Sequence, residues 1–549
     1  MPPDMREWLP AGHVVWTLID VVGVLDTSGF HARCRTGGVG RAGYDPDMML
    51  TLLIYAYSQG VRSSRHIERL CWQDVACRVI CAQDVPDHTT IFRFADVSPE
   101  LVQQLFTEVL MLCASAGMVK LGMITLDGMK IGANASMKAN RSEEQIRREL
   151  AKLAAEAVAE HRATDVAEQA LFGEAVGDEL PEELADPRSR EARLRRVLAE
   201  LEAARIAEQA ERDAKAREYL QRQQLAPVVG RSPVQARLEA AKHRLEQAIA
   251  NQQAKIDDWE RRNAEKIART GTSLREKPPR PVEAHFTVIR ARAAVAKAAA
   301  AQAKREAEQR PKVGNVTDPA SGLMPTRAGF IQGYNPQNVA TEDGFILATE
   351  LTQDTNDVRQ AIPMMAAAAA AADVVAHIHS GLTQAAGEEC ICSPATDDAD
   401  EAPGPTQPAC PVHPAGIGTM VMDAGYNSAE NITAHGPRRL IATGKRSDVE
   451  KAARQAQTAA ADPADDQADP VEEMAQQLRT PEGIATYRHR GHIAETPHGH
   501  IKHNMGIRTL TRRGLPRATA EWKLICATFN LSQLLRALTR TGQPLPTAA

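Results

Sequence analysis

Residues 124–136 read ITLDGMKIGANAS. Met123, Ile124 and Leu126 are apolar, the run lies between Gly122 and Gly128, and this pattern predicts a buried strand over 123–126. Asp127 follows at its end. A carboxylate there is costly to bury unless it is paired or binds a cation, although an Asp-Gly pair is also a common turn. A second stretch has the same design. In MVMDAGYNSAENI (residues 420–432), Met420, Val421 and Met422 form a short apolar strand that ends in Asp423, followed by a glycine turn and a helix start at Asn427-Ser428.

Working outward, the chain of 549 residues is too long for one ordinary core and predicts two or three structural units. Its 43% hydrophobic and 25% charged residues are those of a soluble globular protein. No uninterrupted apolar run approaches the ~20 residues that cross a bilayer, and the N-terminal residues lack a signal-peptide pattern. Nine scattered cysteines do not suggest a disulfide framework, so the expected location is the cytoplasm.

Residues 1–120 read as helical. Asp45-Pro46 suits a helix start, Met48, Leu52, Tyr55 and Ala56 keep helical spacing, and a second helix runs through Ile67 and Leu70 after Ser63-Ser64. Asp87 or Thr89 caps another. Arg62, Arg65, His66, Arg69 and Arg93 make this part either a DNA-contacting module or a helical bundle with a solvated basic face. Residues 121–140 hold the first strand. Residues 141–310 are dominated by strong helix formers. Leu194, Val197, Leu198, Leu201 and Ile206 form one stripe, and Leu238, Ala241, Leu245 and Ile249 another. Prolines 181, 187, 227 and 233 separate the helices, giving a long helical, coiled-coil-like insertion. It is read as an arm that holds a second protomer or DNA, or as a self-packed spacer.

From 311 to 380 the period changes. Residues 329–353 read as a hairpin around Asp343-Gly344, and residues 357–380 as a helix that tolerates Pro363 in its first turns. Residues 381–416 form an acidic, proline-rich loop. Its Cys390, Cys392, Cys410 and His413 are either four zinc ligands or free thiols with a histidine beside them. The last part, 417–549, ends in a basic segment. Residues 484–540 carry ten Lys and Arg against Glu495 and Glu521, a net of +8, in a chain whose net charge is −5. Five histidines lie in the same stretch. Such a segment is an electrostatic footprint for a polyanion, or else a solvated basic helix. Pro497 implies either a helix that begins there after a Thr496 cap, or an earlier helix that kinks.

The trio Asp127, Asp423 and Glu495 resembles, in order, the catalytic triad of a DDE-type insertion-sequence transposase. TYRHRGHIAETPHGHIKHNMGIRTLTRRG (residues 486–514) is similar to the Tyr-Arg-Glu-Lys signature of one branch, at Tyr487, Arg490, Glu495 and Lys502. Four residues separate Arg490 from Glu495 where the common pattern has three, and Arg488 is the alternative. Residues 44–68 and 317–339 also look like family segments. The resemblance implies an α/β ribonuclease-H-like catalytic core, a mixed sheet flanked by helices, with an all-α N-terminal domain and the helical insertion. It implies catalysis and metal binding by Asp127, Asp423 and Glu495, with two Mg2+ (or Mn2+) ions, and contact of Tyr487, Arg490 and Lys502 with double-stranded DNA. It further implies cutting at element ends, joining of the 3′ hydroxyl to target DNA, and a homodimer on DNA. The rival readings are a ribonuclease-H-like nuclease that cuts without joining, and an inactive DNA-binding or scaffold protein.

Overall fold

A computed structural model describes residues 4–34, 43–153, 155, 190–225, 234–308, 313–385, 416–456 and 469–546. Cys390, Cys392, Cys410 and His413 lie outside them, so the zinc reading has no structural support. The chain divides into two compact units, one formed by Met1–Ala139 with Thr317–Ala549 and the other by Asn140–Val316.

The first unit is built on a mixed sheet. Strand β1 (Met123–Gly128) is the predicted buried strand, and Ile124, Thr125 and Leu126 are fully buried. It runs antiparallel to β6 (Gly329–Thr341) and parallel to β8 (Thr419–Met422). β6 pairs antiparallel with β7 (Ile346–Thr352), and β8 pairs parallel with β9 (Arg439–Ile441). The order is therefore β7-β6-β1-β8-β9. The 13-residue β6 also extends past this sheet, where β2 (Ile131–Gly132) and β5 (Gly322–Thr326) flank it. Gly333 on β6 has no room for a side chain, since a Cβ there would collide with the Ile131 carbonyl. The β6–β7 turn is the expected one, with Gly344 at φ +88°, in the left-handed region that glycine adopts without steric cost.

Helices cover the sheet. Pro99–Ser115 packs against Leu515–Thr541 and against Ala361–Ala385, and the last two also pack on β7. The helix Pro481–Gly499 packs on β1, β6 and β8. Asn530 hydrogen-bonds both the N–H and the C=O of Ile346 (2.9 and 2.8 Å), and so pairs part of an edge strand that would otherwise be open. The helices of residues 14–95 join the same hydrophobic core through Leu18, Leu52, Ile67 and Ile91. Asp45 and Asp87 cap their helices as expected, with Pro46 at the first helical position.

The stretch Val358–Gly381 is long and apolar enough to cross a membrane by length and composition. Asp373 and two histidines interrupt its sequence, which hides it from a search for an unbroken apolar run. Here Met364, Met365, Ala368, Ala372 and Val375 of its helix are buried in the core.

In the second unit, β3 (Asn140–Ser142) pairs antiparallel with β4 (Val313–Asn315). The helices are Arg190–Leu225, Val234–Thr270 and Phe286–Glu308, and the middle one packs on the other two. Ile146, Leu194 and Val197 form a small buried cluster with Leu198 and Leu201 against it. Ile206 departs from the expected stripe: it is 66% exposed, beyond the reach of that cluster.

Candidate active site

The register of the two parallel strands builds the site. Leu126 lies opposite Met422, so the next residues, Asp127 and Asp423, emerge at the same end of β1 and β8. Ends of adjacent parallel strands are a common place for a ligand site in open α/β sheets. Asp127 accepts a hydrogen bond from the Gly128 N–H at 3.1 Å, and Asp423 caps the turn Ala424–Tyr426 by accepting from the Gly425 N–H at 2.8 Å. A side chain at Gly128 would lie 2.7 Å from Asp357, and one at Gly425 would lie 2.9 Å from Asp423. The two glycines leave the carboxylates room.

The helix Pro481–Gly499 crosses beside them. Thr480 caps it, Pro481 occupies the first turn, and Pro497 lies inside it, ahead of a π-helical turn at His500–Asn504. Of the two readings of Pro497, the structure takes the longer helix. Arg490 comes within 3.7 Å of Asp127 and 3.9 Å of Asp423, so one guanidinium sits between the two carboxylates. His498, 8% exposed, places Nδ1 3.9 Å from Asp127, and its Nε2 has no hydrogen-bond partner among the described residues.

Asp357, in the segment after β7, is a third carboxylate close by. It accepts from Asn335 (2.6 Å), Gln337 (2.8 Å) and Lys130 (3.3 Å). The Tyr426 hydroxyl donates in turn to Gln337. This network ties β6 to the turn after Asp423.

Charge and burial act together on these groups. Burial, opposed by Arg490 and reinforced by Asp423 and Asp357, pushes the Asp127 carboxyl up to about 7. Burial would lower Arg490, but Asp127 and Asp423 outweigh it and hold the guanidinium above its ordinary value. Burial and the neighbouring charges of Lys502 and Arg490 depress His498 to about 3, so its ring is neutral near neutral pH. Burial also lowers Lys502, while Asp127 opposes the shift, which puts this ammonium within electrostatic reach of the site.

The structure thus brings Asp127, Asp423 and Arg490 together, with Lys502 near and Tyr487 buried one turn before Arg490. Glu495 lies on the same helix but is exposed, and it makes no hydrogen bond or ion pair with the described residues. Sequence reasoning did not single out Asp357, Tyr426 or His498. Asp357 reads as an ordinary helix-start acid, and His498 as one of five histidines in a basic stretch.

That basic stretch is less of a free surface than its composition implies. Lys523 is 7% exposed and pairs with Glu350 at 2.9 Å, Arg517 pairs with Asp96 at 3.0 Å, and Arg513 donates to the Asn134 carbonyl. Glu521 is buried and pairs with Arg62 at 2.8 Å, so Arg62 is not an exposed cation. Arg65, His66, Arg69 and Arg93 are exposed.

A site of this kind, two carboxylates and a third nearby at the ends of adjacent strands, fits a hard divalent cation, since such cations prefer oxygen ligands. Asp423 and Asp357 add to the burial that raises the pKa of Asp127, a strain that a cation relieves. Two family models match the chain. One, described as Transposase domain (DUF772), matches residues 3–96, and the other, Transposase DDE domain, matches residues 445–535. The second match contains Tyr487, Arg490, Glu495 and Lys502. No curated protein and no solved structure matches the chain. The two matches support a DNA transposase, and a DDE domain implies an enzyme that acts on DNA.

Proposed function

We propose that the chain is a DDE-type insertion-sequence transposase of the branch with the Tyr-Arg-Glu-Lys signature. In this reading it cuts DNA at the ends of its element and joins the freed 3′ hydroxyl to target DNA. The observation that carries the reading is the meeting of Asp127 and Asp423 at one end of β1 and β8, beside a helix that lies within the matched DDE domain. The β1, β6, β7, helix, β8 order is compatible with a ribonuclease-H-like core.

Asp127 and Asp423 are the metal ligands in this reading, and Glu495, exposed on the neighbouring helix, is the third acid. Two divalent ions, Mg2+ or Mn2+, would supply an activated nucleophile and stabilise the leaving 3′ oxygen. The chain's own groups do the rest. Arg490, now between the aspartates, is positioned to pair with a DNA phosphate beside them. Lys502 adds a second cation there, and Tyr487 supports Arg490 from the preceding turn. Lys130, Asn335 and Gln337 hold Asp357, so its charge stays fixed behind Asp127. Double-stranded DNA is the partner, a homodimer on DNA would hold two ends, and the cytoplasm is the expected location.

The test is strand transfer with a duplex whose 3′ end is already cut. Wild type should join it to plasmid DNA in Mg2+, and Glu495→Gln should lose joining by about a hundredfold or more while it still binds the duplex. Cutting without joining in wild type would favour a plain nuclease. Full activity in Glu495→Gln would remove Glu495 from the site.

A further inference from the structure

We propose that the end of the helix Val234–Thr270, the connection after it and the helix Phe286–Glu308 form a surface that binds the phosphate backbone of double-stranded DNA. This surface belongs to the inserted unit and shares no residue with the carboxylate site. The inference rests on the reading above that DNA is the partner.

Residues 261–305 carry twelve Lys and Arg against three acids, a net of +9, in a chain whose net charge is −5. Two of those acids, Glu265 and Glu276, are taken up with Asp258 by Arg261 and Arg262. Arg275, Lys277, Arg290 and Lys297 are exposed and form no ion pair with the described residues. The helix Arg190–Leu225 of the same unit differs. There Arg195 pairs with Glu191, Arg196 with Glu200 and Lys215 with Glu211, each one turn away. Cations gathered without local acids repel one another, and a polyanion relieves that repulsion.

The helix Phe286–Glu308 aims its charges outward. Val288 is fully buried, and this helix packs on Val234–Thr270. With 3.6 residues per turn, Arg290 and Lys297 fall on the side opposite Val288, two turns apart. Ala293 and Ala300, also exposed, lie on that side, and no acid occurs in the helix before Glu306. Methyl side chains keep the surface low, so a rigid duplex meets the two cations without obstruction. Phe286 and Ile289, 64% and 53% exposed, begin the same side. Two apolar residues fall short of the roughly 20–30 residues a side of a stable protein interface. A two-fold pairing of copies would also set this basic segment against itself. Duplex DNA, with one charge per about 1.7 Å of axis, is the occupant of matching sign.

The test is binding of the full chain to a duplex of arbitrary sequence, because phosphate contacts carry no sequence information. The titration runs across about 50–200 mM salt. Arg290→Gln combined with Lys297→Gln should weaken binding about tenfold at the low-salt end. It should also reduce the slope of log affinity against log salt by roughly 1.8, two phosphate contacts. Arg195→Gln combined with Arg196→Gln removes the same charge from the paired helix and should leave affinity and slope unchanged. All four positions are exposed, so thermal melts should barely move. Wild-type affinity and slope in the 290/297 variant would overturn the proposal. So would an equal loss in both variants, which would mean that only net charge matters. Loss of self-association in the 290/297 variant, with DNA affinity unchanged, would assign the surface to a second copy and overturn it as well. Wild type that fails to bind the duplex at any salt would instead sink the reading of DNA as the partner, and this inference with it.

Discussion

At the residue scale the site is governed by one acid held against its own preference. Asp127 titrates near 7 in the folded chain and near 3.8 when unfolded. The folded state therefore keeps a proton that the unfolded chain has already released. From about pH 4 to 7 the metal-free protein should lose stability as pH rises, with the whole cost present above 7, at most ~4 kcal/mol. Urea titrations in chelator should show that slope in wild type and a flatter one in Asp127→Asn. The variant should be more stable than wild type at pH 8 by about 1–3 kcal/mol. Equal slopes would mean that Asp127 is an ordinary solvated carboxylate. The position of this acid is legible in sequence, because a short apolar run between glycines delivers it. Its electrostatics are not, because Asp357 and Arg490 lie hundreds of residues away along the chain.

At the scale of elements, the helix Leu515–Thr541 shows how composition misleads. Read as sequence, Lys523 and Glu521 are two charges in a basic segment. In the fold, both are buried and each has a partner from a distant part of the chain, Glu350 for the lysine and Arg62 for the glutamate. Glu521 also accepts from the Thr511 and Arg512 N–H groups, so it anchors the loop before the helix. Removing Arg62 leaves a buried carboxylate short of its cation. Arg62→Met should cost about 3 kcal/mol of stability in a denaturant melt, and Arg65→Met, at an exposed position, close to nothing. A matching small cost for both would mean that the Arg62–Glu521 pair is solvated. Strands and caps were easier to anticipate than these pairings. The 123–126 strand, the Asp343-Gly344 hairpin and the Asp87 cap depend on local periodicity and turn chemistry. The extension of β6 between β2 and β5 depends on long-range register, which no short window of sequence carries.

At the scale of the whole molecule, the Asn140–Val316 unit enters and leaves the chain through the paired strands β3 and β4, where Asn140 lies opposite Asn315 and the two side chains hydrogen-bond at 2.7 Å. Paired residues on neighbouring strands have Cα atoms only about 5 Å apart. A short glycine-serine loop in place of residues 143–312 should therefore leave the other unit folded, with one cooperative melt and an unchanged affinity for Mn2+. Loss of folding would show that the inserted unit is needed for the sheet to form. The change from strand pattern to long helix-forming stretches near residue 141 marks this insertion in the sequence. That the helices of residues 14–95 share one core with the sheet is invisible there, since their apolar faces would suit a separate bundle equally well. The central claim is that Asp127 and Asp423 together serve divalent-ion-dependent cutting of DNA. The direct measurement is nicking of a duplex bearing the DNA that flanks the chain's own gene, in Mg2+ and in chelator, by wild type, Asp127→Asn and Asp423→Asn. The account predicts cleavage by wild type in Mg2+ only, and loss of at least about a hundredfold in each variant with duplex binding retained. Cleavage by either variant at the wild-type rate would contradict it.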